Sequence, residues 1–202
     1  MRASLQGADI PLALTECHLT LPGRNRNDVL STWAAGVANA RLLNVHERHG
    51  DALAIATAAD FCGNRWFVNA LMLPTPPSAG RAYLLPVGSV MSLYRHHVGA
   101  QAVGVQATGG LDVTASRTGN RLYVHLVNPS PDTAIDIDLR APGYSLGDLE
   151  AWEIAAPPFA EVDEYQPDVF APVERAWPKG GALRVPPCAV LAIEGRLADQ
   201  GS

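Results

Sequence analysis

An apolar run that ends in an acid stands at Ile10-Pro11-Leu12-Ala13-Leu14-Thr15-Glu16. Short uncharged runs of this kind are typical of β-strands that are buried in a sheet. A carboxylate at the point where such a strand ends is held rigidly by the sheet and faces the loops, which is where barrel-shaped enzymes place catalytic groups. The run therefore predicts a buried strand, and it makes Glu16 the first candidate for a catalytic residue.

Helices and strands alternate in the residues that follow. Apolar residues at helical spacing predict a long amphipathic helix over residues 28–48. The uncharged run Leu53-Ala54-Ile55-Ala56-Thr57-Ala58-Ala59, which ends at Asp60, predicts a strand buried on both faces. A second helix is predicted from Val87 to His97. The order strand, helix, strand, helix predicts two consecutive units of a parallel α/β fold in residues 1–99.

From residue 101 onward the apolar residues recur at every second position, which is the period of a β-strand. Turn signals such as Gly109-Gly110 and Gly119-Asn120 separate these alternating segments. About seven short strands follow from this pattern, and they predict an antiparallel sandwich or barrel over residues 100–202. The alternating apolar positions are Val103 and Val105; Leu111, Val113 and Ala115; Leu122, Val124 and Leu126; and Ile135, Ile137 and Leu139.

Composition excludes several classes of function. With 48% hydrophobic residues in 202, the chain can bury a large core, and its net charge of -5 argues against a surface that binds nucleic acid or anionic lipid. No stretch reaches the roughly 18 uncharged apolar residues of a membrane span. The three cysteines form no C-x-x-C pair, and no signal peptide is visible, so we expect reduced thiols and a cytoplasmic protein.

Several short segments together make the order of these parts similar to a known family. They are Leu14-Thr15-Glu16, Ala40-Arg41-Leu42-Leu43-Asn44, Glu47-Arg48-His49-Gly50-Asp51, Ala54-Ile55-Ala56-Thr57-Ala58-Ala59-Asp60, Met91-Ser92-Leu93-Tyr94-Arg95-His96-His97, Leu111-Asp112-Val113-Thr114-Ala115-Ser116, Leu126-Val127-Asn128-Pro129-Ser130-Pro131-Asp132 and Val185-Pro186-Pro187. On these segments the chain resembles the C-terminal portion of the family 51 glycoside hydrolases, the α-L-arabinofuranosidases.

The resemblance implies a fold and a reaction. Enzymes of this family have a (β/α)8 barrel followed by a β-sandwich, and they use two glutamates in a retaining mechanism. The nucleophile ends the seventh strand in a pattern like D-E-W-N, and Thr15-Glu16-Cys17-His18 stands at that place, so the resemblance carries the nucleophile onto Glu16. The acid/base sits in an Asn-Glu pair at the fourth strand, and no such pair occurs in these residues. Asp60 stands where the family often has a sugar-binding Gln.

The predicted fold class is therefore the last two β/α units of a TIM-type barrel, residues 1–99, followed by an all-β antiparallel sandwich, residues 100–202. A retaining glycosidase needs two carboxyl groups, and the resemblance supplies no acid/base candidate in this sequence, so we expect the acid/base to come from outside these residues. Two strands of a barrel leave open edges, and the expected partner is the missing barrel half or a second copy of the chain. The expected substrate is an arabinose-containing oligosaccharide or polysaccharide, with no cofactor.

Four further residues are candidates for substrate binding beside Glu16. They are His18, Asp60, Asn64 and Trp66. His18 also fits an ordinary loop histidine, and Trp66 fits a packing role as well as it fits stacking on a sugar ring. The histidines at helix ends, including His96 and His97, are explained by the helix dipole, so no metal site is expected.

An alternative function stays open at this point. Trp152, Trp177, Tyr165 and Phe170 lie in or near the predicted sandwich and could form a platform for sugars, although aromatic residues more often anchor loops and cores. In this alternative the chain is a non-catalytic structural or carbohydrate-binding module with a small α/β appendage.

Overall fold

The computed structural model describes residues 10–25, 27–57, 60–65 and 67–199. Its helices are α1 (Asn27–Leu30), α2 (Trp33–Arg48) and α3 (Pro86–Arg95). Its strands are β1 (Leu12–Leu14), β2 (Leu53–Ala56), β3 (Cys62–Gly63), β4 (Leu71–Met72), β5 (Tyr83–Leu84), β6 (Gln101–Val103), β7 (Asp112–Thr118), β8 (Arg121–Asn128), β9 (Ile135–Ile137), β10 (Tyr144–Ala155), β11 (Val173–Ala176), β12 (Leu183–Val185) and β13 (Ala189–Asp199).

A six-stranded antiparallel sheet is the largest element of the structure, with the strand order β11-β10-β13-β8-β7-β6. Its central strand, β13, pairs with β10 on one side and with β8 on the other. From Ala189 to Gly195 every residue of β13 is buried, because both faces of the sheet are covered. The antiparallel sheet predicted from the period-two pattern is confirmed.

The two faces of this sheet are covered by different layers. Val127, Val190 and Ala192 face α2 and α3 and share one hydrophobic core with Trp33 and Leu93 of these helices. The opposite face packs against a two-stranded sheet, in which β9 pairs with β12. Leu191, Ile193, Leu183 and Val185 belong to that second core. The second layer of the sandwich is therefore narrow.

A separate two-stranded sheet contains β1 and β2, which run parallel and are joined by α2. The parallel direction agrees with the predicted order of strand, helix and strand. The prediction that the second strand is buried on both faces is wrong, because Ala54 and Ile55 of β2 are exposed. Ala13 of β1 is exposed too. Among the described residues, no second layer covers these exposed positions. The assignment to a TIM-type barrel and the boundary at residue 99 stay predictions.

The predicted helix over 28–48 is divided into α1 and α2 at Thr32, whose backbone is extended with ψ 154°. A distant loop satisfies the first amides of α2: Trp33 N donates to Ala160 O at 2.9 Å and Ala34 N donates to Pro158 O at 2.8 Å. These N–H groups have no partner inside a helix, so the loop carbonyls fix where α2 begins.

The segment between β2 and α3 contains regular structure of its own. It contains a small three-stranded sheet with the order β3-β4-β5, in which each strand has two residues. The first turn of α3 lies directly on this segment, since a Cβ at Gly88 would be 2.1 Å from Ala70 O. Only glycine permits that approach.

None of the helices in the described ranges is long and apolar enough to cross a membrane.

Candidate functional site

The carboxyl ends of β1 and β2 are tied together at one edge of the parallel sheet. Thr57 N donates to Leu14 O at 2.9 Å, and Thr57 Oγ1 donates to Thr15 O at 2.5 Å. Both strands end at this edge because they are parallel and Leu14 is in register with Ala56. The edge therefore holds the backbone immediately before Glu16, as the sequence predicts for a residue at a strand end.

Glu16 lies at this edge with 61% of its side chain exposed. His18 follows it, and His18 Nδ1 is 3.5 Å from Glu16 Oε1. The histidine is mostly buried, and its Nδ1 has no hydrogen-bond partner within the described part of the chain. The contact is close but is not a formed hydrogen bond. The pair presents a carboxylate oxygen to solvent with an imidazole beside it.

Cys17 stands between these two residues. Burial raises the pKa of its thiol above the usual value of 9.0. The thiol therefore stays protonated at neutral pH and adds no negative charge next to Glu16.

Asp60 and Asn64 lie beyond the end of β2 and are both exposed. Ala70 N donates to Asp60 O at 3.1 Å, so the backbone of Asp60 is attached to the segment that precedes β4. Asn64 directly follows β3. No hydrogen bond or ion pair joins either residue to Glu16 in the described ranges. Trp66 lies outside the described residues.

The structure thus brings two of the predicted residues, Glu16 and His18, into contact. It places Asp60 after β2 and Asn64 directly after β3 of the small three-stranded sheet. No group of three or more His, Cys, Asp or Glu side chains in the described residues could hold a metal ion. The arrangement offers one exposed carboxylate beside an imidazole and two further exposed polar side chains.

A second polar cluster was missed by the sequence reasoning. Glu194 interrupts the apolar run of β13 and is buried, with its Oε1 2.7 Å from His97 Nδ1 and its Oε2 3.0 Å from Arg121 Nη2. The ring of His97 stacks on Trp152 with centroids 4.1 Å apart. A signal was available, since an acid inside an apolar strand has to find a partner when it is buried. The sequence does not show that the partner is a histidine 97 residues away.

Comparisons with solved structures show what this fold is similar to. An arabinofuranosidase crystal structure matches 97% of this chain and 45% of its own, with a TM-score of 0.78 and 16% identity. The α-L-arabinofuranosidase from Thermotoga maritima, solved as an arabinose complex, matches 92% of this chain and 43% of its own, with a TM-score of 0.76 and 16% identity. The similarity to family 51 arabinofuranosidases predicted from the sequence is confirmed for the fold.

The fold alone does not select one sugar. A β-porphyranase of glycoside hydrolase family 86 from Bacteroides plebeius matches 94% of this chain and 35% of its own, with a TM-score of 0.65 and 14% identity. The chain spans less than half the length of each of these three proteins. No protein-family model matches the chain, and no curated protein sequence matches it significantly.

Proposed function

We propose that the chain is part of a retaining glycoside hydrolase that removes terminal α-L-arabinofuranosyl groups, and that Glu16 is its nucleophile. The observation that carries the proposal is the position of Glu16, an exposed carboxylate directly beyond the end of a parallel strand. The fold similarity to arabinofuranosidases supports it. In this reading His18 and Asp60 bind hydroxyl groups of the sugar, and Asn64 and Trp66 are further substrate-binding residues.

The mechanism follows from the chemistry of the two bonds involved. An oxygen of the ionised Glu16 attacks the anomeric carbon, and the bond from that carbon to the leaving oxygen breaks. A second carboxyl group donates a proton to the leaving oxygen and then takes a proton from the water that hydrolyses the ester. No second carboxyl group contacts Glu16 among the described residues, so we assign this acid to polypeptide outside the 202 residues.

The exposed apolar surface around β1 and β2 supports a missing partner. Ile10 is 58% exposed, Ile55 56% and Phe61 78%. Side chains of this size at a sheet edge with free pairing positions mark an interaction surface. The partner in this proposal is the other half of the barrel, and a second copy of the chain is the alternative. A cytoplasmic location stays a prediction from the sequence.

A substrate with a very good leaving group tests the nucleophile without the missing acid, because a dinitrophenolate leaves without a proton. We would incubate the chain with 2,4-dinitrophenyl 2-deoxy-2-fluoro-α-L-arabinofuranoside, whose fluorine slows hydrolysis of the glycosyl ester, and map the mass increase by peptide mass spectrometry. We expect labelling at Glu16, and no labelling in Glu16→Gln. The matched control Glu174→Gln, an exposed glutamate on β11, should label like wild type. Failure to label Glu16, or a label on another residue, would overturn the assignment.

The second candidate function is a carbohydrate-binding module without catalysis. The high exposure of Glu16 and the absence of a second carboxyl group in contact with it, within the described residues, favour this candidate. Binding of an arabino-oligosaccharide with no label at Glu16 would support the module over the enzyme.

A sedimentation measurement of the oligomeric state tests whether the partner is a second copy of the chain. Ile55→Ser should shift sedimentation toward the monomer if the β1–β2 surface joins two copies, because Ile55 is an exposed residue of β2. Phe159→Ser is the control, because Phe159 is also exposed but lies in the loop next to α2. A monomeric wild-type chain would contradict the second copy and leave the barrel half as the proposed partner.

A further inference from the structure

A polar cleft lies on the six-stranded sheet, far in sequence from Glu16. Its volume is about 340 Å³, and it is lined by Arg121, Asp148, Leu149, Glu150, Glu194 and Arg196. Arg121 and Arg196 are direct neighbours across β8 and β13, and Glu150 and Glu194 are direct neighbours across β10 and β13. Side chains from three adjacent strands therefore meet in one place, at the low end of the volume range of small-molecule sites.

The shape of the cleft comes from an irregularity in β10. The register of β10 against β13 shifts between Gly147 and Glu150, and Asp148 has a φ of 50°. Opposite the shift lies Gly195, where a Cβ would approach Leu146 Cδ1 at 2.9 Å and Leu149 Cδ2 at 3.0 Å. The irregularity and the glycine let Leu146 and Leu149 lie against β13, where both pack on the second core, and Leu149 also lines the cleft.

The side chains at the inner end of the cleft are held in place. Glu194 has only 11% of its side chain exposed, and it is bound by His97 on one oxygen and by Arg121 on the other. His97 in turn stacks on Trp152. Arg121 keeps 59% of its side chain exposed and Arg196 keeps 67%, so donor groups of both guanidinium groups remain open to a ligand.

The charge of the cleft selects the ligand. Three carboxylates and two guanidinium groups are present, so a phosphate or another anion would meet acids as well as arginines. A neutral hydroxyl group can accept from a guanidinium and donate to a carboxylate at the same time. Carbon-bound hydrogens of a sugar ring can contact Leu149, the apolar side chain that lines the cleft.

We propose that this cleft is a binding subsite for neutral, hydroxyl-rich ligands, namely one or two sugar units of an oligosaccharide. The subsite is separate from Glu16 and does not depend on catalysis there. It lies in the part of the chain predicted as the sandwich and would hold a glycan chain without cleaving it.

The test is an NMR titration of the full chain with the neutral trisaccharide arabinotriose, followed on the backbone amide of Gly195 and the indole N–H of Trp152. Xylotriose is the second sugar probe, and sodium phosphate at matched ionic strength is the anionic probe. We expect saturable shifts of both signals with arabinotriose or xylotriose, and none with phosphate. Glu16→Gln should leave the titration unchanged, which distinguishes failure of this subsite from failure of the catalytic proposal.

Arg196→Ala supplies the second arm of the test. Loss of hydrogen bonds to a charged donor should weaken sugar binding about tenfold or more. The matched control is Arg140→Ala, because Arg140 is an exposed arginine paired with Asp138 away from the cleft. Thermal unfolding of both variants checks that the fold is kept. No shift with either sugar, equal weakening by both variants, or shifts with phosphate alone would overturn the proposal.

Discussion

Two strands that each contain a short apolar run have opposite surroundings in this protein. Leu191 in β13 is completely buried between two layers, whereas Ile55 in β2 is 56% exposed at the edge of a two-stranded sheet. Each strand contains a short apolar run, residues 53–56 in β2 and residues 189–193 in β13, yet of the two only β13 has neighbours on both sides and cover on both faces. The difference teaches that the largest buried core of this chain lies on the antiparallel sheet, while the candidate catalytic residue is carried by a small sheet with exposed apolar residues.

The largest expected difference between the two regions is in hydrogen exchange. Amides of β1 and β2 can open locally, whereas amides in the centre of β8 and β13 exchange only when the whole sheet unfolds. We expect exchange at least about a thousandfold faster in the β1–β2 peptides, given the usual size of unfolding free energies. Hydrogen–deuterium exchange with mass spectrometry measures this ratio. Equal protection in both regions would contradict the comparison.

The next largest difference is expected when one apolar side chain is shortened to alanine in β13 and in β2. Leu191→Ala should lower the free energy of unfolding by about 2–5 kcal/mol, because it opens a cavity in a closed core. Ile55→Ala, the matched change in β2, should cost less than about 1 kcal/mol, because the side chain is already in water. Chemical denaturation followed by circular dichroism tests both variants. A larger cost for Ile55→Ala would show that the β2 surface is covered in solution.

Attachment of the helices to the sheet is tested at Trp33. This residue is fully buried, and its Nε1 donates to Cys188 O at 2.5 Å. Trp33→Phe should lower the free energy of unfolding by about 1–3 kcal/mol, because the carbonyl loses its donor. Trp177→Phe is the control at a tryptophan that is only partly buried, and it should cost less. Equal costs for the two variants would indicate that the hydrogen bond adds nothing beyond ring packing.

The smallest expected effect is a change in pH dependence at Glu153. Burial raises the pKa of this carboxyl, and the Arg175 guanidinium opposes the rise. The folded state therefore holds the proton at a pH where the unfolded state has released it. Its contribution to stability is complete below the unfolded pKa and is lost as the pH rises through the folded pKa.

Glu153→Gln removes this titration, so wild type should lose stability relative to the variant as the pH is raised from 4 to 7. Thermal unfolding across that range measures the difference, and Glu174→Gln on the neighbouring exposed strand is the control. A difference that stays constant with pH would argue against the raised pKa.

The repeating patterns of the sequence predicted much of the fold. Alternating apolar residues located β7, β8 and β9 because the alternating side chains of these strands pack in one core, and helical spacing located α2 and α3. The patterns did not predict the break at Thr32, since carbonyls of residues 158 and 160 determine it from more than 120 positions away. The strands β3, β4 and β5 have two residues each, too few for any period to be visible.

The candidate site could be predicted only in part. The position of Glu16 follows from a local rule, because an acid after an apolar run lies at a strand end. The exposure of β2 could not be predicted, because the same uncharged sequence is compatible with a strand that another layer covers and with one that is left exposed. The cluster around Glu194 depends on the register of β8, β10 and β13, which local sequence does not specify.

The common core of α2, α3 and the six-stranded sheet limits how the polypeptide can be shortened. Removing the helical segment before residue 100 would leave a strip containing Val127, Val190 and Ala192 bare in water. Such a strip invites aggregation during expression. A soluble miniature version of the sandwich would have to keep residues 33–95 or carry polar replacements at those three positions.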